Sequence, residues 1–169
     1  MRIQEGHLKF VFETSDGSMA SQYDEWGFYR KQFIKVAGGT KAVDFIYVDK
    51  VGNVTWLIEV KDYRHPEAKS IKPSELAGVV AQKVCDSLAG LAAARCNAND
   101  ATEREFSEAA LTTGSIRVVL HMEQVNRNHR FIDPANVLTK LKQQIKAVDA
   151  HPVVVSQASL KTNMRWIVT

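Results

Sequence analysis

Two apolar stretches constrain this chain more than anything else in it: Lys41 to Asp49 (KAVDFIYVD) and Val54 to Tyr63 (VTWLIEVKDY), separated by Lys50-Val51-Gly52-Asn53. Both are rich in the β-branched and aromatic residues that suit strands, and the short segment between them supplies a turn, so the pair reads as a hairpin. With a two- or four-residue loop, Tyr47 faces Trp56, Phe45 faces Ile58 and Val43 faces Val60, which makes one face wholly apolar. On the other face Val48 meets Thr55, Ile46 meets Leu57, and Asp44 falls opposite Glu59. A three- or five-residue loop would send Glu59 to the opposite face and separate the two acids.

Two carboxylates directly across a strand pair lie roughly 5 Å apart and repel each other, so so apolar a hairpin has little reason to carry them without a cation between them. Lys61 projects from the same face as Glu59, about 6.7 Å further along the strand. Magnesium takes hard oxygen ligands of this kind, usually one or two carboxylates with waters and phosphate oxygens. A metal on Asp44 and Glu59, with the backbone carbonyl of Val60 as a further ligand, could activate water and polarise a phosphoryl oxygen. Lys61 could orient that water or offset charge on the phosphorane.

Val43-Asp44 followed after a strand-length gap by Glu59-Val60-Lys61 resembles the PD-(D/E)XK signature of the restriction-endonuclease-like nuclease superfamily, with Val43 where the signature usually has proline. The sharp match covers residues 42 to 63, and the order of elements extends it over residues 19 to 125. The resemblance implies a core of helix, three-stranded meander, helix and further strand. It also implies Asp44 and Glu59 as ligands of Mg²⁺ (Mn²⁺ as substitute), Lys61 as the catalytic lysine, Glu25 as an acid from the first helix near the metal, and Gln82 or Lys83 as a polar group near the site. The activity expected from it is a Mg²⁺-dependent DNA endonuclease. The alternative is a non-catalytic module of nuclease-like fold that binds nucleic acid or a partner.

Element by element, the chain reads as one α/β domain spanning residues 1 to 169, a sandwich with a mixed central β-sheet flanked by helices. Leu8 to Glu13 reads as a strand. Met19 to Ile34 reads as a helix, with Gln22, Trp26, Tyr29 and Phe33 on one stripe and Asp24 nearer the polar side. Pro73-Ser74-Glu75 opens a long helix to about Cys96 whose apolar stripe includes Leu76, Val80, Val84 and Leu91. Asp100 with Glu103 resembles a capping box opening a helix to about Leu111. Ile116 to Met122 reads as a strand buried on both faces. Asp133-Pro134 starts a further helix, and Pro152 to Ser156 and Met164 to Val168 read as closing strands.

Composition narrows the setting. The net charge of +3 is mild, but residues 126 to 169 carry seven Lys or Arg against Asp133 and Asp149. The stretch leaving the carboxylate strand adds Arg64, His65, Lys69 and Lys72, expected nucleic-acid contacts along with Lys83. The alternative is an ordinary solvated surface. His129 is a further loop histidine that, like His65, could touch substrate phosphates, the alternative being an ordinary exposed loop histidine. The histidines and cysteines show no zinc-ligand spacing, and Gly38-Gly39-Thr40-Lys41 lacks the Walker spacing. No stretch reads as a membrane span, and the amino terminus lacks a signal pattern. Cys85 and Cys96 fall about 16 Å apart along one helix, so a reduced, cytoplasmic protein is expected. To cut both strands of DNA at once so small a chain would act as a homodimer or within a larger defence or repair complex.

Overall fold

The computed structural model describes residues 1–64, 71–125 and 132–169. His65, Lys69, Arg127, His129 and Arg130 lie outside these described residues. In chain order the strands and helices are β1 (Arg2–Glu5), β2 (Leu8–Phe12), β3 (Met19–Gln22), α1 (Gly27–Lys31), β4 (Phe45–Asp49), β5 (Val54–Asp62), α2 (Pro73–Asn97), α3 (Ala101–Leu111), β6 (Ser115–Glu123), α4 (Pro134–Ile145), β7 (Val153–Val155) and β8 (Trp166–Val168). Short 3₁₀ turns at Tyr23–Glu25 and Phe33–Gly38 flank α1.

The hairpin takes the four-residue-loop register. Phe45 pairs with Ile58, Tyr47 with Trp56 and Asp49 with Val54, and the turn is closed by Gly52 N–H donating to Asp49 Oδ1 at 2.9 Å. β3 adds antiparallel to β4, while β6 lies parallel to β5 and β7 parallel to β6, giving a five-stranded mixed sheet in the order β3-β4-β5-β6-β7. A second sheet, β1-β2-β8, is antiparallel throughout.

Period-two alternation then divides the core in two. Phe45, Tyr47, Trp56, Ile58 and Val60 point toward the small sheet and pack on Phe10, Phe12 and Trp166. Ile46, Val48 and Leu57 point the other way, against Leu76, Val80, Val84 and Leu91 of α2 and Val137, Leu141 and Ile145 of α4. The helix α2 is long and apolar enough to span a membrane by length and composition, contrary to the sequence reading, and here it packs as the central helix on the sheet. Three helix starts form as the sequence indicates, two of them with a side-chain cap. Pro73 opens α2, Asp100 accepts from Thr102 N–H at 2.7 Å, and Asp133 accepts from Ala135 N–H at 3.0 Å.

Three expectations are corrected. The continuous helix over Met19–Ile34 does not form, because Met19–Gln22 pairs with β4 as an edge strand and the chain then turns at Tyr23 and again at Trp26, whose ψ of 139° is extended. Its apolar residues are still buried: Tyr23 packs edge-on against Trp26, with ring centroids 5.0 Å apart. The closing strand Met164–Val168 shortens to β8 and joins the small sheet, so the described residues form two sheets instead of one. Val43 does not face Val60, since β4 starts only at Phe45 and the two valines enter opposite halves of the core.

Candidate functional site

Asp44 sits where β4 gives way to the preceding loop. Its backbone carbonyl accepts from Tyr23 N–H at 2.9 Å, and its side chain replaces a strand neighbour, with Oδ2 accepting from Val60 N–H at 2.6 Å. One carboxylate oxygen is thereby committed to β5. Val60, expected to offer a carbonyl to a metal, contributes its N–H to Asp44.

Glu59 lies in the middle of the buried run of β5, on the α2 side, with 0% exposure. Two ammonium groups reach it. Lys61 Nζ is 2.7 Å from Glu59 Oε1, and Lys83 Nζ is 2.6 Å from the same oxygen and 2.8 Å from Oε2. Lys83 also lies 3.4 Å from Asp44 Oδ1. Neither ammonium is aimed along a hydrogen-bond direction at Oε1, so that contact is ionic and the directed bond is the one from Lys83 to Oε2. Asp44, Glu59, Lys61 and Lys83 form a charge-balanced quartet, and the lysines keep partial contact with solvent, their side chains being 31% and 17% exposed.

Burial raises the Glu59 carboxyl to about 7, with the Asp44 carboxylate adding to the rise and Lys61 and Lys83 pulling against it. Burial pushes the Lys61 ammonium down, but Glu59, Asp44 and Glu5 more than offset this and hold it above the ordinary lysine value. Two further acids feel the quartet. Glu5, at the end of β1, is raised by burial and then by Asp44. Asp24, in the 3₁₀ turn, is raised to about 6 by burial, then by Asp44 and Glu5.

The structure therefore brings together Asp44, Glu59 and Lys61, and it places Lys83, expected near the site and as a nucleic-acid contact, at the centre with its ammonium on the two acids. Glu25 does not join them: it pairs with Arg30 at the surface. Asp24 takes the inward position, because the 3₁₀ turn rotates the phase that a continuous helix would have given. Lys83 had a legible signal, since it falls three residues after Val80 and seven after Leu76, on the buried stripe of α2. Arg64 folds back on Asp62 through Nε and Nη2, and Lys72 lies exposed at the start of α2, 4.0 Å from Glu75.

Among the described residues no group of three or more His, Cys, Asp and Glu side chains is placed to hold a metal ion. The acid pair that would do so has Lys83 Nζ between its members, so a divalent cation could enter only by displacing that ammonium. As arranged, the donor set fits an ammonium group. Beside the quartet opens a groove of about 320 Å³, lined by Asp24, Glu25, Tyr29, Arg30, Ile34, Ala42 and Lys83.

No protein-family model matches the chain, and no solved structure matches it. The chain is similar to a cysteine–tRNA ligase of Neisseria meningitidis serogroup A / serotype 4A (strain DSM 15465 / Z2491), 31% identical over 173 residues. That match covers 85% of this chain and 24% of the ligase, so the chain spans about a quarter of the length of the curated relative it matches. The comparison overturns the expected activity. The likeness runs to a tRNA ligase, and the DNA endonuclease, with the hydrolase chemistry that the acid–acid–lysine signature implied, is withdrawn.

Proposed function

We propose that this chain is an RNA-binding module related to part of a cysteine–tRNA ligase, built on a restriction-endonuclease-like frame, and that tRNA is its ligand. The observation that carries the reading is the 31% identity to that ligase over a stretch amounting to 24% of it. The antiparallel run β3-β4-β5, followed by α2 and the parallel strand β6, supports the choice of frame.

On this reading the quartet is an internal brace. Asp44 ties the 3₁₀ turn to β5, and Lys83 ties α2 to both acids, which fixes the groove walls relative to one another. Binding then rests on phosphate contacts by exposed lysines, a sequence-independent attraction that falls steeply with salt. The free, exposed thiols of Cys85 and Cys96 accord with a reduced, cytoplasmic setting.

Fluorescence anisotropy with a labelled tRNA transcript and a DNA duplex of equal length tests the proposal. Tighter binding to tRNA than to the duplex, weakening as salt rises, is the expected result. Absence of tRNA binding at low salt, or preference for the DNA duplex, would overturn it.

A further inference from the structure

We propose that the outward face of α4 docks a base-paired stem of RNA by its sugar–phosphate backbone; this rests on the RNA-binding reading above and names the surface that carries it. Three properties of that face point to this occupant.

The first is positive charge with nothing to offset it. Residues 134–148 contain Lys140, Lys142 and Lys146 and no Asp or Glu. All three lysines are exposed, and none makes an ion pair among the described residues. The acids at either end of the segment are already committed. Asp133 Oδ1 accepts from Ala135 N–H at 3.0 Å. Asp149 is buried, with Oδ2 accepting from Val118 N–H at 2.8 Å and lying 3.3 Å from Arg117 Nε. On the neighbouring α2, Gly78 faces Gln144, and Glu75, about one turn earlier, is paired with Lys72. The helix dipole favours cations near the end of α4 but leaves their charge in place. An elongated polyanion complements such a face, and its phosphates gain affinity there by releasing counterions.

The second is spacing on one rigid element. Lys140, Gln143 and Lys146 follow at steps of three, and Lys142 lies four before Lys146, so the four are neighbours on the helix surface. Lys140 and Lys146 are about 9 Å apart along the axis, far enough to meet separate phosphates. The exposed Asn136 and Thr139 carry the same face back by a turn. Amide and hydroxyl groups among the lysines can both donate to and accept from a ribose 2′-hydroxyl, the group that tells RNA from DNA.

The third is the lack of a stacking surface. The apolar residues Val137, Leu141 and Ile145 of α4 are buried in the core, and the exposed large apolar side chains, such as Ile34, Val36 and Ile167, lie on other elements. An unpaired base would find no aromatic or aliphatic platform on this face. A paired stem needs none, since it is recognised through its shape, phosphates and 2′-hydroxyls. The same burial leaves α4 no apolar side to insert into an anionic membrane.

The test measures binding of the whole chain to a labelled tRNA transcript, a DNA duplex of equal length, oligouridylate of about 12 nucleotides, a length suited to a single-strand site, and phosphatidylserine-containing vesicles. Replacing Lys140, Lys142 and Lys146 together by glutamine should weaken tRNA binding at least about tenfold at low salt and make the slope of log affinity against log salt shallower by about 2. The same charge change made at Lys31, Lys35 and Lys41 should cost less than about threefold. Asn136→Ala with Gln143→Ala should weaken tRNA by about fivefold, the worth of one net hydrogen bond, and the DNA duplex by less. Circular dichroism checks that each variant folds. An α4 triple variant with unchanged affinity and slope, while the wild type binds tRNA, overturns the docking surface and leaves the RNA-binding reading in place. Equal losses from the two triple variants overturn it too, since overall charge would then decide binding. Tighter binding of the wild type to oligouridylate than to tRNA overturns the paired stem, and equal losses of the amide variant on tRNA and DNA overturn the 2′-hydroxyl contact. A wild type that binds the vesicles and not tRNA, or binds nothing, overturns the reading and the inference together.

Discussion

Lys83 Nζ lies 2.6 Å from Glu59 Oε1, a long side chain from the middle of α2 reaching a carboxylate that has no exposure at all. Here a second element supplies a cation that also touches Asp44, so helix and sheet are joined through one ammonium group.

Removing that ammonium leaves two acids facing Lys61 alone. Lys83→Met should cost about 3 kcal/mol at pH 8, in the range for breaking a buried ion pair, and less at pH 5, where Glu59 is protonated. The variant also vacates the position between the carboxylates. Millimolar Mg²⁺ should therefore raise its Tm while leaving that of the wild type unchanged. Equal stabilisation of both proteins would mean that Lys83 is no obstacle to a cation.

Stability should fall as pH rises through the window set by Glu59. Its carboxyl titrates near 4.5 when unfolded and at about 7 in the folded chain, so between those values the folded state holds a proton that the unfolded state has lost. Stability therefore declines from about pH 4.5 to about pH 7 and is flat above that for this group. The gap corresponds to about 3 kcal/mol at roughly 1.4 kcal/mol per unit. Asp24, at about 6, acts in the same direction over a narrower range. Urea denaturation at half-unit steps should show the decline, and Glu59→Gln should flatten most of it.

Tyr23 is fully buried and its hydroxyl has no hydrogen-bond partner among the described residues. A Cβ at Gly90 of α2 would meet that hydroxyl oxygen at 2.0 Å and the Phe33 ring at 3.1 Å. Gly90→Ala should thus destabilise by roughly 2–3 kcal/mol through overpacking. Tyr23→Phe, which deletes only the unpaired hydroxyl, should raise stability by about 1 kcal/mol alone and recover much of the loss in the double variant. A loss in the single Tyr23→Phe protein would point to a partner for the hydroxyl.

Glu103 was expected to complete a capping box on its own helix. Its two carboxylate oxygens instead accept from Gly27 N–H at 2.7 Å and Phe28 N–H at 3.1 Å, closing the start of α1 from α3. Glu103→Ala should cost about 1 kcal/mol, the worth of a helix cap. Amide exchange should quicken in α1 and stay unchanged at the start of α3, which Asp100 caps independently. Faster exchange at Thr102 would contradict that division.

The hairpin register was legible because two apolar faces of period two admit a single alignment around a four-residue loop. Asp44, Glu59 and Lys61 followed from it. The helix starts at Pro73, Asp100 and Asp133 were legible from local chemistry alone. The segment from Met19 to Phe33 was not, because Trp26, Tyr29 and Phe33 are buried at helical spacing whether or not Met19–Gln22 is helical; only the unpaired edge of β4, a tertiary feature, decides that it is a strand. Placing Asp24 inside and Glu25 outside depends on that same edge. The second sheet escaped for a related reason: Leu8, Phe10 and Phe12 alternate as a half-buried strand should, but nothing local says that their partner is β8. The chemistry was read too far, since an acid–acid–lysine motif specifies a geometry and leaves the activity open.

The pairing of β2 with β8 also orders events during synthesis. Phe10 and Trp166 belong to the same half of the core, yet they leave the ribosome far apart in time. The helix-covered half, assembled from β4 through α4, can consolidate while Phe10, Phe12 and Trp56 still lack their cover. Until β8 emerges, the nascent chain carries an open aromatic face, and this is the interval in which a chaperone would have most to hold.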